Sequence, residues 1–224
     1  MNSFFKTYKL FITTLFVLSC IIITLFYNIL KPVKVLPVYQ PAQVNYELVD
    51  STIQYQKKYH RIADFSLINQ NGDTITQEFY KDKIYVADFF FTTCQTICPI
   101  MTSHMHDLQK KTITDPDVLL LSHSVIPEID TVAQLKRYAK KKLVNVSKWN
   151  LVTGDKKQIY ALARKSYLAV KEDGDGGPYD MIHTENFMLI DKKRQIRGFY
   201  DGTDAEEIER LLEDIKILKA SYKN

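Results

Sequence analysis

The chain has 224 residues and a formal charge of +4; Lys6 and Lys9 supply two of these charges, leaving about +2 (4 − 2) beyond residue 30. That balance excludes a role resting on a basic nucleic-acid-binding surface. Three cysteines exclude a disulfide scaffold, and 12% aromatics with only seven glycines and seven prolines exclude a low-complexity chain.

Leu10–Leu30 (LFITTLFVLSCIIITLFYNIL) carries no charge and is bracketed by Lys9 and Lys31. It is long enough to cross a bilayer, and the lysines favour a cytoplasmic N-terminus only slightly. The expectation is a short cytoplasmic segment at 1–9, a transmembrane anchor at 10–30 and the rest of the chain outside the cytoplasm. Val17-Leu18-Ser19-Cys20 loosely matches a lipobox, which would make Cys20 a lipidated residue. Against that, the apolar run continues ten residues past Cys20, where a mature lipoprotein turns polar. Residues 31–58 hold Pro32, Pro37 and Pro41 with little periodicity and read as an extended linker.

The folded domain is expected over 59–224. Ile62, Phe65 and Leu67 alternate ahead of Asn69–Asp73 (NQNGD), a hairpin signal at the edge of the fold. Ile84–Phe91 is a bulky apolar run suited to a central strand. It ends at Thr92-Thr93, and Cys94 and Cys98 follow, with Pro99 after the second. Pro99 pushes Cys98 out of the helical region, so a helix is predicted over about Pro99–Lys111 with Cys98 near its N-cap. Backbone N–H groups there favour thiolate. Val118–Val125 reads as a second buried strand. Asp130 or Thr131 can cap a helix with Val132, Leu135 and Ala139 on one face. Leu151-Val152 is a weak strand, and Asp155 can cap a helix carrying Ile159, Leu162, Ala163 and Ser166. A glycine-rich loop, Lys171–Asp180, leads to strands at His183–Ile190 and Gln195–Tyr200. Thr203 with Glu206 forms a capping box for a last helix with an Ile208, Leu211, Leu212, Ile215, Leu218 stripe. The order predicts an α/β class: a central mixed sheet flanked by helices, with an N-terminal hairpin, in a thioredoxin-like pattern.

Two thiols four apart serve a reversible disulfide, a structural disulfide or a soft-metal site. So short a loop constrains little of the unfolded chain, which weakens the structural choice. Two thiolates leave zinc short of ligands but suit Cu(I), and one imidazole would complete a site able to hold Cu(II). Of the five histidines, His183 sits where such a topology returns beside the cysteine loop. His60 is expected outside the core and His123 within a strand, while His104 and His106 default to the surface. Met101, His104 and Met105 offer a weak auxiliary metal patch. Asp88, an acid inside the first apolar strand, reads either as a partly exposed acid or, if buried near Cys98, as support for thiol chemistry.

Phe89–Pro99 (FFFTTCQTICP) resembles the F-x-F-T-x-C-x-x-x-C-P motif of the Sco/SenC copper-binding proteins. Ser122–Thr131 (SHSVIPEIDT) is similar to that family's S-x-D-P-E-x-D-T stretch, and Tyr179–Thr184 (YDMIHT) to its Y-x-x-D-H-[ST] element. The resemblance covers about Tyr59–Tyr222. It implies a thioredoxin-like domain in which Cys94, Cys98 and His183 bind one copper ion, Cu(I) or Cu(II), for delivery to the copper centre of cytochrome c oxidase. It also implies a redox-active Cys94–Cys98 disulfide, and single-pass attachment to the inner membrane with the domain on the periplasmic side. The sequence departs from the pattern at Ile182, where the family has Asp before the histidine, and at Val125-Ile126, where it has an acid before the proline. Asp88 stands at the offset of the buried acid of thioredoxins, a candidate support for the site.

The alternative function is a membrane-tethered thiol-disulfide oxidoreductase using Cys94 and Cys98, with the copper-site cysteines of a target as one substrate. An imidazole at 183 separates the two, since exchange does not need it. A peroxiredoxin is disfavoured because its P-x-x-x-T-x-x-C pattern is absent, with Phe91 and Gln95 at the threonine positions.

Overall fold

A computed structural model describes residues 7–30, 34–44, 49, 51–170, 177 and 180–222. It divides into two units, 1–35 and 36–224.

The first unit is helix α1, Lys9–Leu30. Its stretch Lys9–Tyr27 is long and apolar enough to cross a membrane, and none of it is buried. The helix runs unbroken through Cys20. Thr13, Thr14 and Thr24 turn their hydroxyls onto the carbonyls of Leu10, Phe11 and Cys20, at 2.8, 2.8 and 2.7 Å. The polar atoms of these threonines are thus satisfied within the helix, as an apolar surrounding demands.

The second unit is built on a seven-stranded sheet. Its strands are β1 (Ser66–Asn69), β2 (Thr74–Thr76), β3 (Ile84–Phe90), β4 (Val118–Ser124), β5 (Trp149–Thr153), β6 (Asn186–Ile190) and β7 (Ile196–Asp201), in the order β2-β1-β5-β4-β3-β6-β7. β3, β4 and β5 run parallel, and the remaining pairings are antiparallel. Every residue of β3 and β4 is buried, which is why both read as largely apolar runs, broken only by Asp88 in β3 and by Ser122-His123-Ser124 at the end of β4. The pleat sends Tyr85, Ala87 and Phe89 into one apolar layer and Ile84, Val86 and Phe90 into the other.

The second layer is closed by α2 (Cys98–Lys111), α3 (Val132–Lys141) and α5 (Ala205–Ala220), through Met101, Met105, Leu108, Leu135 and the Ile208–Leu218 stripe. The first layer is closed by α4 (Lys156–Ala161), which passes into a π-helical turn at Leu162–Ser166. The edge hairpin β1–β2 forms as its sequence predicts. The Asn69 carboxamide oxygen accepts the N–H groups of Asn71 and Asp73 at 2.9 Å each, and Gly72 supplies a φ of +88° that the turn requires.

Three sequence expectations change. The chain packs onto the body from Leu36 rather than from residue 59. Leu36 is 6% exposed, Tyr39 donates its N–H to Ile196 O at 2.9 Å, and Arg197 holds the carbonyls of Leu36 and Pro37 at 2.6 and 2.8 Å. The buried Asp191 carboxylate fixes that guanidinium at 2.9 Å, so a proline-rich stretch without periodicity is still held in place. His60 is buried, with Nε2 2.8 Å from Ser166 O. The last helix is capped by Asp204, which accepts the Glu206 N–H at 2.8 Å. Thr203 is drawn off instead by Asp201, which takes both its N–H and its hydroxyl.

Candidate functional site

The cysteine loop leaves the C-terminal end of β3, and its first residues are pinned. Thr92 donates its N–H (3.1 Å) and hydroxyl (2.5 Å) to Asp130, which also accepts the Ser124 hydroxyl at 2.6 Å; Gln134 Nε2 reaches Thr92 Oγ1 at 2.9 Å. Asp130 is fully buried and ties the ends of β3 and β4 to the start of α3. The sequence offered it only as a helix cap, a role that Thr131 takes through the Gln134 N–H. Its partners lie six and 38 residues away, and the only trace in the sequence was the D-T of the family-like stretch.

The cap residue of α2 is Ile97, so Cys98 and Pro99 fill its first two helical positions. Pro99 costs no hydrogen bond there, because that N–H has no intrahelical acceptor. Cys98 is 3% exposed and Cys94 is partly exposed, and both are free thiols. Burial raises the Cys94 thiol, but hydrogen bonds from the Cys98 thiol, from the Cys98 N–H and from Thr96 outweigh it and bring Cys94 down to about 7. Burial, and then the bond to Cys94, push Cys98 up to about 12. The N–H groups at the helix start thus favour a thiolate, as expected, but on Cys94 rather than on Cys98.

Asp88 pairs with Ser122 across β3 and β4 and is 1% exposed. Its neighbours at two residues either side, Val86 and Phe90, pack in the layer that contains Cys98. Burial pushes its carboxyl up to about 7 against a hydrogen bond from Ser122, and its Oδ1 has no hydrogen-bond partner among the described residues. Its charge lies close enough to raise Cys98 further. The acid is therefore buried on the Cys98 side, not partly exposed.

His183 lies in the extended approach to β6. Ile182 and Thr184 are buried while Met181 and His183 face solvent. Ile182 is 4% exposed within the first apolar layer, which accounts for an apolar residue there. The imidazole stands edge-on to the Phe91 ring at 5.9 Å, and Phe91 O accepts the Cys94 N–H at 3.3 Å. The two thiols are thus hydrogen-bonding neighbours on one loop, and His183 packs against Phe91, the residue whose carbonyl holds the Cys94 N–H. Among the described residues, no three His, Cys, Asp or Glu side chains are gathered closely enough to hold a metal ion. Of the loop 171–180, only 177 and 180 lie among the described residues.

The remaining sulfur and imidazole groups are structural. Met101 and Met105 are fully buried in the core, and His104 Nδ1 is 2.8 Å from Gly202 O, so the auxiliary patch does not form. His106 meets Gln109 Nε2 at 3.3 Å. His123 is buried and stacked on Phe89 at 4.8 Å, and burial brings it down to about 4.

A family model described as SCO1/SenC matches residues 53–220. A Bacillus subtilis "SCO1 protein homolog" is 34% identical over 159 residues, 70% of this chain and 82% of the relative. Among solved structures, BsSco, described as having a disulfide switch and as a member of the Sco family of cytochrome c oxidase assembly proteins, is 33% identical with a TM-score of 0.61, covering 71% of this chain and 93% of its own. Arabidopsis thaliana ScoI, solved with copper bound, is 27% identical with a TM-score of 0.55, covering 69% and 97%. The sheet and its helices are the thioredoxin-like fold of these neighbours. With 168 residues matched by the family model (220 − 53 + 1), this chain belongs to the SCO1/SenC family.

Proposed function

We propose that this protein binds one copper ion through the Cys94 and Cys98 thiolates and the His183 imidazole, and delivers it to the copper centre of cytochrome c oxidase or to another copper protein. Copper is cargo here, not a resident cofactor. The observation that supports the proposal is a pair of free thiols on the loop after β3, with the solvent-facing His183 ring edge-on to Phe91, whose carbonyl accepts the Cys94 N–H. Soft thiolates suit Cu(I), and the imidazole adds a donor suited to Cu(II). His183 is exposed, so its side-chain torsions are free to turn the ring toward the sulfurs. Loading needs reduced thiols, and protons compete for all three donors, so affinity falls at low pH. In this proposal α1 is a single-pass anchor, with residues 1–9 in the cytoplasm and the body on the periplasmic side of the inner membrane.

A second activity is favoured by the inequality of the thiols. The Cys94 thiolate attacks a disulfide of the target, forming a mixed disulfide and releasing one target thiol. Cys98, deprotonated as it reacts, then displaces the second target sulfur, leaving a Cys94–Cys98 disulfide and a reduced target. Asp88, buried and close enough for its charge to act on Cys98, is the group assigned to take up that proton.

Copper titration of the reduced full-length protein in detergent separates the two. The wild type is expected to bind one equivalent; Cys94→Ser or Cys98→Ser abolishes binding, and His183→Ala weakens Cu(II) most while leaving Cu(I) on the thiols. If His183→Ala leaves copper affinity unchanged while Cys94→Ser abolishes reduction of insulin disulfides, exchange is the function and copper delivery is not.

A further inference from the structure

The approach to His183 is fastened by a buried polar latch that neither copper ligation nor thiol exchange explains. Arg164, in the π-helical turn, grips Asp180 with two parallel bonds of 2.8 and 2.7 Å, with the two side chains 8% and 5% exposed. The Tyr160 hydroxyl lies 2.9 Å from the Asp180 carbonyl and 3.0 Å from that of Val125. The Arg164 guanidinium sits over the Tyr160 ring at 5.3 Å. Val125 in turn donates its N–H to Phe90 O at 2.9 Å, at the root of the cysteine loop. One hydroxyl therefore stands between two parts of the site: the end of β4, bonded through Val125 to the β3 end from which the cysteine loop departs, and the residue three positions before His183.

We infer that Arg164 and Tyr160 are positioning residues that set the distance between the imidazole of His183 and the thiol pair. This rests on the reading of His183 as a copper ligand. A buried ion pair is a poor source of net stability, because desolvation offsets its attraction, and its best-attested use is to fix register. The bidentate fork fixes Asp180 in direction as well as distance. The π-helical turn that carries Arg164 is a departure from regular helix of the kind that recurs at functional sites. Outer partners of this sort orient a ligand, and losing them costs about 10–100-fold in metal affinity.

The test is Cu(II) titration of the full-length protein in detergent, with paramagnetic resonance to read nitrogen coupling and thiol titration to confirm the reduced pair. Arg164→Met and Tyr160→Phe are expected to lower Cu(II) affinity by about 10–100-fold and to lose the imidazole nitrogen coupling, with Cu(I) binding and thiol count unchanged. Arg164→Lys restores affinity only in part, because one ammonium cannot make the fork. Tyr160→Phe keeps the ring packing and removes only the hydroxyl, so it carries the test should Arg164→Met fail to fold. Wild-type affinity and nitrogen coupling in folded Tyr160→Phe and Arg164→Met, alongside a weakened His183→Ala, would overturn the latch alone. An unchanged His183→Ala overturns the ligand assignment and the latch with it.

Discussion

The cysteine arm and the histidine arm of the site are fixed in different ways. The cysteines are four residues apart and ride on the junction of a fully buried strand and a helix. Asp130 clamps the start of the loop that joins strand to helix, and the Cys98 thiol helps to lower the Cys94 pKa. The histidine is 85 residues beyond Cys98 (183 − 98), faces solvent, lies edge-on to the Phe91 ring and follows by three residues Asp180, which Arg164 holds. The difference teaches that the thiol pair is preorganised by local chain geometry, while the proposed third donor depends on a tertiary arrangement that can be lost separately.

The largest expected effect lies under the cysteine arm. Asp88 has its folded pKa raised from 3.8 to about 7, so the folded state holds a proton that the unfolded chain has released. Stability from this group is full below pH 3.8, falls as pH rises, and levels off above about 7. Asp88→Asn removes that slope and is expected to be more stable than the wild type at pH 8 by on the order of 4 kcal/mol. Urea unfolding at pH 5 and pH 8 checks it, and an identical pH slope in both proteins would sink the assignment.

Within the cysteine arm the two sulfurs diverge next. With Cys94 at about 7 and Cys98 at about 12, Cys94 at pH 8 is mostly thiolate and Cys98 almost wholly thiol. The thiolate fractions then differ by roughly 10⁴-fold, and the weaker nucleophilicity of the more acidic sulfur brings the rate ratio to about 10²-fold. Iodoacetamide labelling of the reduced protein, read by peptide mass spectrometry, should show Cys94 reacting first, with a rate that rises through pH 7 and then flattens. Equal labelling of the pair would erase the proposed division into attacking and resolving thiols.

The same contrast decides what was legible in the sequence. β3, β4 and α5 are written as an apolar run, a second run and a 3.6-residue stripe, because each buries a continuous face. The cysteine pair is legible for the same reason, being local. Only Leu151-Val152 of β5 showed as strand. Its Asn150 is polar, and the partners that let it be buried, Asn69 at 3.0 Å and Tyr80 at 3.3 Å, are 81 and 70 residues away. His183 could be picked from five histidines only by topology and family resemblance. The helix-start argument found the right physics and the wrong sulfur, since spacing does not say which thiol the Cys98 N–H faces.

The smallest of these effects separates the arms most cleanly. Asp130 is a buried acceptor for three donors of the cysteine arm, the Thr92 N–H, the Thr92 hydroxyl and the Ser124 hydroxyl, and among the described residues its carboxylate accepts no hydrogen bond from the histidine arm. In Asp130→Asn one face of the side chain becomes a donor, so at least one of these three loses its acceptor and stability falls by about 2 kcal/mol. Thermal unfolding reads that loss, and hydrogen exchange locates it. The Thr92 and Cys94 amides, which depend on the clamped loop, should exchange faster. The Asn186 amide, held by Thr184 Oγ1 at 3.2 Å, should keep its protection. If protection is lost equally at Asn186, the two arms share one scaffold and the imidazole is not separately placed.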